Sequence, residues 1–188
     1  MPPPKVLAAS IRGVGDDDER PGQLPTDQVL GATLHAELLR RSLTLATAES
    51  LTGGALADLA SASPGASETF MGGVVSYATG VKTGLLGVGE DTVREHGVVS
   101  ARCAEQMAAG VRSLLGTDWA VSTTGVAGPT EQEGKPVGTV FVGVAGPDGA
   151  VAHELHLDGD RAAIRAATCR RAAQLVVAAV AGVAQDTP

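Results

Sequence analysis

The stretch TLATAESLTGGALADL (44–59) runs apolar and β-branched up to Glu49-Ser50, then turns through Thr-Gly-Gly into an Ala/Leu pattern. A serine at such a strand-to-helix elbow can cap the helix or act as a nucleophile. The reciprocal capping arrangement is absent, because position 53 is Gly rather than Glu or Gln. The elbow also suits chemistry. The amides of Leu51 and Thr52 are expected near a helix start, at the positive end of its dipole. Gly53 and Gly54 would let a ligand approach the backbone closely. A Ser50 hydroxyl beside such donors can attack a carbonyl while the amides hold the resulting oxyanion.

A nucleophilic serine needs a base. No histidine stands out, and no S-x-x-K pair starts at Ser50. Lysine is scarce: Lys5, Lys82 and Lys135 are the only three, and Lys5 falls in a Pro-rich tail. Arginine stays protonated, whereas a desolvated lysine can drop toward neutral pKa. Lys82 and Lys135 are therefore candidate bases, with an ordinary exposed lysine as the alternative. SYATGVK (76–82) sets the chain's single tyrosine, Tyr77, shortly before Lys82. Its phenol could relay a proton, or simply be a packed aromatic with a bonded hydroxyl.

Other chemistries fit poorly. GPTEQEGKP has Pro129 and Pro136 where a phosphate loop needs Gly and Ser or Thr, and no G-x-G-x-x-G follows a strand. His153 and His156 fall on opposite faces of a strand, so no metal site is expected. Net charge is −7, with one Trp, one Tyr and two Phe. That excludes the basic stripe and stacking platform of a nucleic-acid binder. Cys103 and Cys169 sit in Ala-rich patterns as small apolar residues, which fits a reducing, cytoplasmic setting. No secretory leader is evident. The apolar run 172–184, interrupted by Gln174, is short of the ~20 residues a membrane span takes.

These residues must be held by a scaffold. Residues 1–25, opening MPPPK and closing GDDDERPGQLP, predict a poorly ordered extension, and 26–188 a single domain. The patterns predict a helix over 26–42 with a stripe of Val29, Leu30, Leu34, Leu38 and Leu39, a strand over 43–48, and a helix over 52–62. They continue with a strand over 69–79, short helices near 82–86 and in GEDTVREHG, a helix over 101–115 and a strand over 118–128. A hairpin across Pro-Asp-Gly and a helix over 160–183 complete the series. Helices alternating with apolar strands predict a three-layer α/β/α domain, with a sheet made mixed by the hairpin. Small residues on the 101–115 helix would suit a homodimer.

TAESLTGG, VVSYATGVKTGLLGV, HGVVSARCAEQMAAGVR, STTGVAGPT, KPVGTVFVGVA and GDRAAIRAAT occur in the order and spacing of a known family. Over residues 26–184 the chain resembles the CinA C-terminal domain family, whose enzymatic members are nicotinamide mononucleotide (NMN) deamidases. The resemblance implies the stand-alone form, without the molybdopterin-binding-like domain of full-length CinA proteins. It implies a serine amidohydrolase making nicotinate mononucleotide and ammonia in pyridine-nucleotide salvage, without metal or organic cofactor. Ser50 maps to the nucleophile, Tyr77 and Lys82 to the Y-x4-K pair, and Thr52, Gly53 and Gly54 to the Thr-Gly-Gly. Thr124 to Pro129 map to the loop S/T-G-[IV]-A-G-P, with Gly125 and Gly128 on it, and Arg161 to the basic residue of G-[GD]-R. The family often has Cys where this chain has Leu51.

In the expected mechanism Lys82, neutral through burial, takes the Ser50 proton directly or through Tyr77, and the amides near Leu51 and Thr52 hold the oxyanion. Glu49 is either a carboxylate facing the pyridinium or a structural acid at the helix start. Arg161 and the amides of 125–128 would take the phosphate. Two alternatives are open: a nucleotide-sensing or competence-related partner module without turnover, and an amidohydrolase for another carboxamide.

Overall fold

A computed structural model describes residues 26–182; the predicted N-terminal extension and the last residues lie outside this range. The described chain runs α1 (Thr26–Leu39), β1 (Leu45–Glu49), α2 (Ala55–Ser61), β2 (Phe70–Val75), α3 (Thr79–Gly84), α4 (Glu90–His96) and α5 (Ala101–Leu115). It ends with β3 (Trp119–Gly125), β4 (Thr139–Gly146), β5 (Gly149–His156) and α6 (Arg161–Gly182). One sheet has the order β2-β1-β3-β4-β5. β1 pairs parallel with β2 and β3, and β4 and β5 add antiparallel. The sheet is therefore mixed, as the hairpin predicted.

Two apolar layers hold helices to the sheet. Leu34 and Leu38 of α1, Leu56 and Leu59 of α2, and Ile164, Val176 and Val180 of α6 close over Leu45, Val121, Val140 and Val142. On the other face Cys103, Ala104, Met107 and Val111 of α5 cover Ala46, Ala48 and Ala120. With almost no aromatics, small residues let the layers approach: Ala46, Ala48, Ala104 and Ala120 are fully buried. The α1 stripe is narrower than expected, since Val29 and Leu39 are exposed.

α5 keeps its predicted bounds. Ser100 caps it by accepting from the Cys103 amide, and left-handed Gly116 ends it. Its small residues divide between the core and the surface, where Ala101, Ala109 and Ser113 are exposed. Ala104 and Ala108 are fully buried, and Gly110 is so close to Leu86 that a Cβ there would lie 2.8 Å from its carbonyl carbon.

β1 leads through α2 to β2 on one side, and β2 returns through α3–α5 to β3 on the other side of β1. The connections part at the carboxyl ends of β1 and β3, where open α/β sheets place their ligands. Among the described residues no helix is long and apolar enough to cross a membrane.

Candidate functional site

Ser50 directly follows β1. Along β1, Leu45 packs in the α1/α2/α6 layer, whereas Ala46 and Ala48 pack in the α5 layer. The alternation carries Glu49 toward α2 and Ser50 toward the α3–α5 side. There α3, a six-residue helix, has one buried side chain, Lys82. Its Nζ lies 3.1 Å from Ser50 Oγ, 2.6 Å from the Ser76 carbonyl oxygen and 3.5 Å from that of Tyr77. Lys82 is only 1% exposed, and burial pushes its pKa below the ordinary lysine range, against the opposing pull of the Cys103 thiol and Glu133. Burial likewise lifts the Cys103 thiol to about 11, with the Lys82 charge opposing.

Ser50 and Lys82 open on a cavity of about 340 Å³, also lined by Leu51, Tyr77, Val99, Thr124 through Gly128, Thr130, Glu131, Gln132 and Arg161. Lys135, the other candidate base, is not among the lining residues; its backbone bridges to Gln132. Among the described residues no group of three or more His, Cys, Asp or Glu could hold a metal ion.

Several expected roles change. α2 starts at Ala55, not Thr52, because Gly53 and Gly54 adopt left-handed φ of 60° and 103° and form a turn before the helix. The helix start does not serve an oxyanion. Glu49, 1% exposed, takes it: Oε2 accepts from the amides of Gly54 and Leu56, and Oε1 from that of Ala57. Of the two readings of Glu49, the geometry is that of the structural acid at the helix start, and Glu49 is not among the residues lining the cavity. Among the described residues the amides of Leu51 and Thr52 take no protein acceptor. The Leu51 side chain is buried in the α1/α2/α6 layer, and the Thr52 hydroxyl bonds that of Thr123 at 2.7 Å. Thr52, Gly53 and Gly54 do not line the cavity.

Tyr77 does not stand between Lys82 and Ser50, which touch directly. Tyr77 is 62% exposed, and its hydroxyl accepts from Arg161 at 3.0 Å. Arg161 also donates to the Gly128 carbonyl at 2.9 Å. Thr124 spends its hydroxyl on Val98 O at 2.7 Å, and the Val126 amide donates to Thr139 O. Gly125 lies so close to β4 that a Cβ would sit 2.7 Å from the Thr139 carbonyl oxygen.

Two loop acids were missed by the sequence reading. Glu133 accepts from the amides of Val98 and Val99 at 3.1 and 2.9 Å, tying the 129–137 loop down beside Lys82. Glu131 is the carboxylate lining the cavity. Neither follows a periodic pattern; the available signal was acids clustered after Gly128-Pro129.

A family model, the CinA C-terminal domain, matches residues 27–180. The chain belongs to the CinA C-terminal domain family. A CinA-like protein of Frankia casuarinae is 50% identical over 177 residues, 94% of this chain and 38% of that protein. One of Cyanothece sp. is 53% identical over 127 residues, 67% of this chain and 29% of that one. The chain thus spans well under half the length of these curated relatives. Among solved structures, the competence damage-inducible protein A of Klebsiella pneumoniae superposes with a TM-score of 0.82 at 30% identity, covering 85% of this chain and 100% of that one. The competence/damage inducible protein CihA of Agrobacterium tumefaciens gives 0.78 at 34%, covering 84% and 98%. The expected α/β fold is that of CinA superfamily structures.

Proposed function

We propose that this domain is a serine amidohydrolase that deamidates NMN to nicotinate mononucleotide and ammonia. The observation that carries the reading is the 3.1 Å contact between Lys82 Nζ and Ser50 Oγ at the wall of a cavity. A neutral amine has two N–H donors and one lone pair. With the donors on the Ser76 and Tyr77 carbonyls, the lone pair is left for the Ser50 proton. Burial favours that neutral form.

Ser50 then attacks the carboxamide carbon, and the amides of Leu51 and Thr52 hold the oxyanion. Lys82 returns the proton to the leaving ammonia, and water releases the acyl group from Ser50. Tyr77 and Arg161 form a bonded pair at the rim, so Tyr77 orients Arg161 rather than relaying the serine proton. Arg161, with the amides of Ala127 and Gly128, takes the phosphate, and Glu131 faces the cationic ring. The cavity volume falls within the ~300–1,000 Å³ of small-ligand clefts.

Ammonia release measured with NMN, nicotinamide and NAD side by side tests this. Turnover of NMN that is lost in Ser50→Ala, with the fold retained, supports it. Turnover kept by Ser50→Ala refutes the nucleophile, and preference for another carboxamide refutes the substrate.

A further inference from the structure

Arg165 lies one turn beyond Arg161 on α6, on the far side of the elbow from the cavity it does not line. Its Nε donates to the Leu51 carbonyl at 3.0 Å and a terminal nitrogen to the Thr52 carbonyl at 2.6 Å. These are the two carbonyls directly after the Ser50 residue. In a planar trans peptide the C=O and N–H point in opposite directions. The plane that offers Leu51 O to Arg165 carries the Thr52 N–H on its other edge, and the plane that offers Thr52 O carries the Gly53 N–H. Pulling both carbonyls onto α6 turns both N–H groups away from α6 together. Successive amides aimed to one side form an anion-holding concavity. The planar fork of arginine can bind two neighbouring carbonyls at once, which a single ammonium on a flexible stem does less well.

We propose that Arg165 is a positioning residue for the oxyanion: it fixes the Leu51–Thr52 peptide plane, whose Thr52 N–H joins the Leu51 amide in receiving the developing charge, and the following plane, which carries the Gly53 N–H. The inference rests on the amidohydrolase reading. It also explains how the elbow amides stay aimed when the α2 helix start is already taken by Glu49. Arg165 touches no reacting atom.

The test compares wild type, Arg165→Met and Arg165→Lys by kcat and KM for NMN, by circular dichroism, and by the rate at which a fluorophosphonate labels Ser50. In that adduct a phosphoryl oxygen takes the oxyanion position. Arg165→Met is expected to lower kcat by about 10²-fold or more, the loss seen when one such donor is removed. KM stays within about threefold, labelling slows in parallel, and the Lys82-dependent limb of the pH profile is unchanged. Arg165→Lys falls between. A folded Arg165→Met with kcat and labelling within about threefold of wild type overturns the inference while leaving the reading intact. If Arg165→Met does not fold, the same comparison is decided by Arg165→Lys. A wild type that neither turns over NMN nor labels at Ser50 removes the amidohydrolase reading, and the inference with it.

Discussion

Glu49 and Ser50 are neighbours in sequence that serve opposite faces of one sheet. The Glu49 carboxylate closes the start of α2 through three backbone amides, while the Ser50 hydroxyl meets Lys82 on the other side. Strand alternation separates them, and each is fixed by a different helix.

Glu49 is therefore expected to govern stability rather than ring binding. Glu49→Ala strands three amides that shared a charged acceptor. It should lose about 2–4 kcal/mol in denaturant unfolding, since hydrogen bonds to charged groups are worth ~1.5–3 kcal/mol each and are only partly additive. The ratio of KM values for cationic and neutral carboxamides should not change. A changed ratio without loss of stability would return Glu49 to the ligand.

In the proposed reading Glu131, which lines the cavity, is the carboxylate that faces the cationic ring. Glu131→Gln should raise KM for NMN about fivefold, as expected for opposite charges ~4 Å apart in water. KM for a neutral carboxamide such as nicotinamide should stay as it was. Equal effects on both substrates would show that the charge of Glu131 is not read.

Lys82 should leave a mark on stability against pH. Burial lowers its folded pKa below 10.5, so between the two values the unfolded chain holds more protons. Stability contributed by this group then rises with pH through that window and levels off above 10.5. Relative to Lys82→Met, the wild type should gain stability as the pH is raised toward 10.5. A difference that is flat or falls with pH would mean the amine is not desolvated.

Both cysteines should be silent. Burial raises Cys103 to about 11 and Cys169 to about 12, so little thiolate exists at pH 8 and access is closed. Native protein should resist iodoacetamide at that pH, and denatured protein should take two equivalents. Rapid labelling of the native chain would reveal an opening of the core, beside Lys82 if at Cys103 and in the α1/α2/α6 layer if at Cys169.

Much of this was legible in the residues. The scarcity of lysine narrowed the base to Lys82 or Lys135, and the elbow pointed to Ser50, although 32 positions separate Ser50 from Lys82 and only the fold brings them to 3.1 Å. The alternation that divides Glu49 from Ser50 was also readable, because both lie at the end of an apolar strand. The late start of α2 was less so, since the left-handed turn at Gly53 and Gly54 replaces a helical turn without altering the apolar pattern. The bond between Arg161 and Tyr77 spans 84 positions, so no local signal reports it, and the loop acids follow no period, their one signal being the cluster after Gly128-Pro129. Arg165, four residues after Arg161 on the same helix face, did carry a signal in its spacing.

The central claim is that a neutral Lys82 makes Ser50 nucleophilic. The most direct test is kcat/KM for ammonia release from NMN as a function of pH, in wild type and Lys82→Met. The wild type should rise through a group titrating below the ordinary lysine range. Lys82→Met should lose that limb and at least about 10²-fold in rate, the contribution of a positioned base. An identical profile in the two proteins would contradict the account.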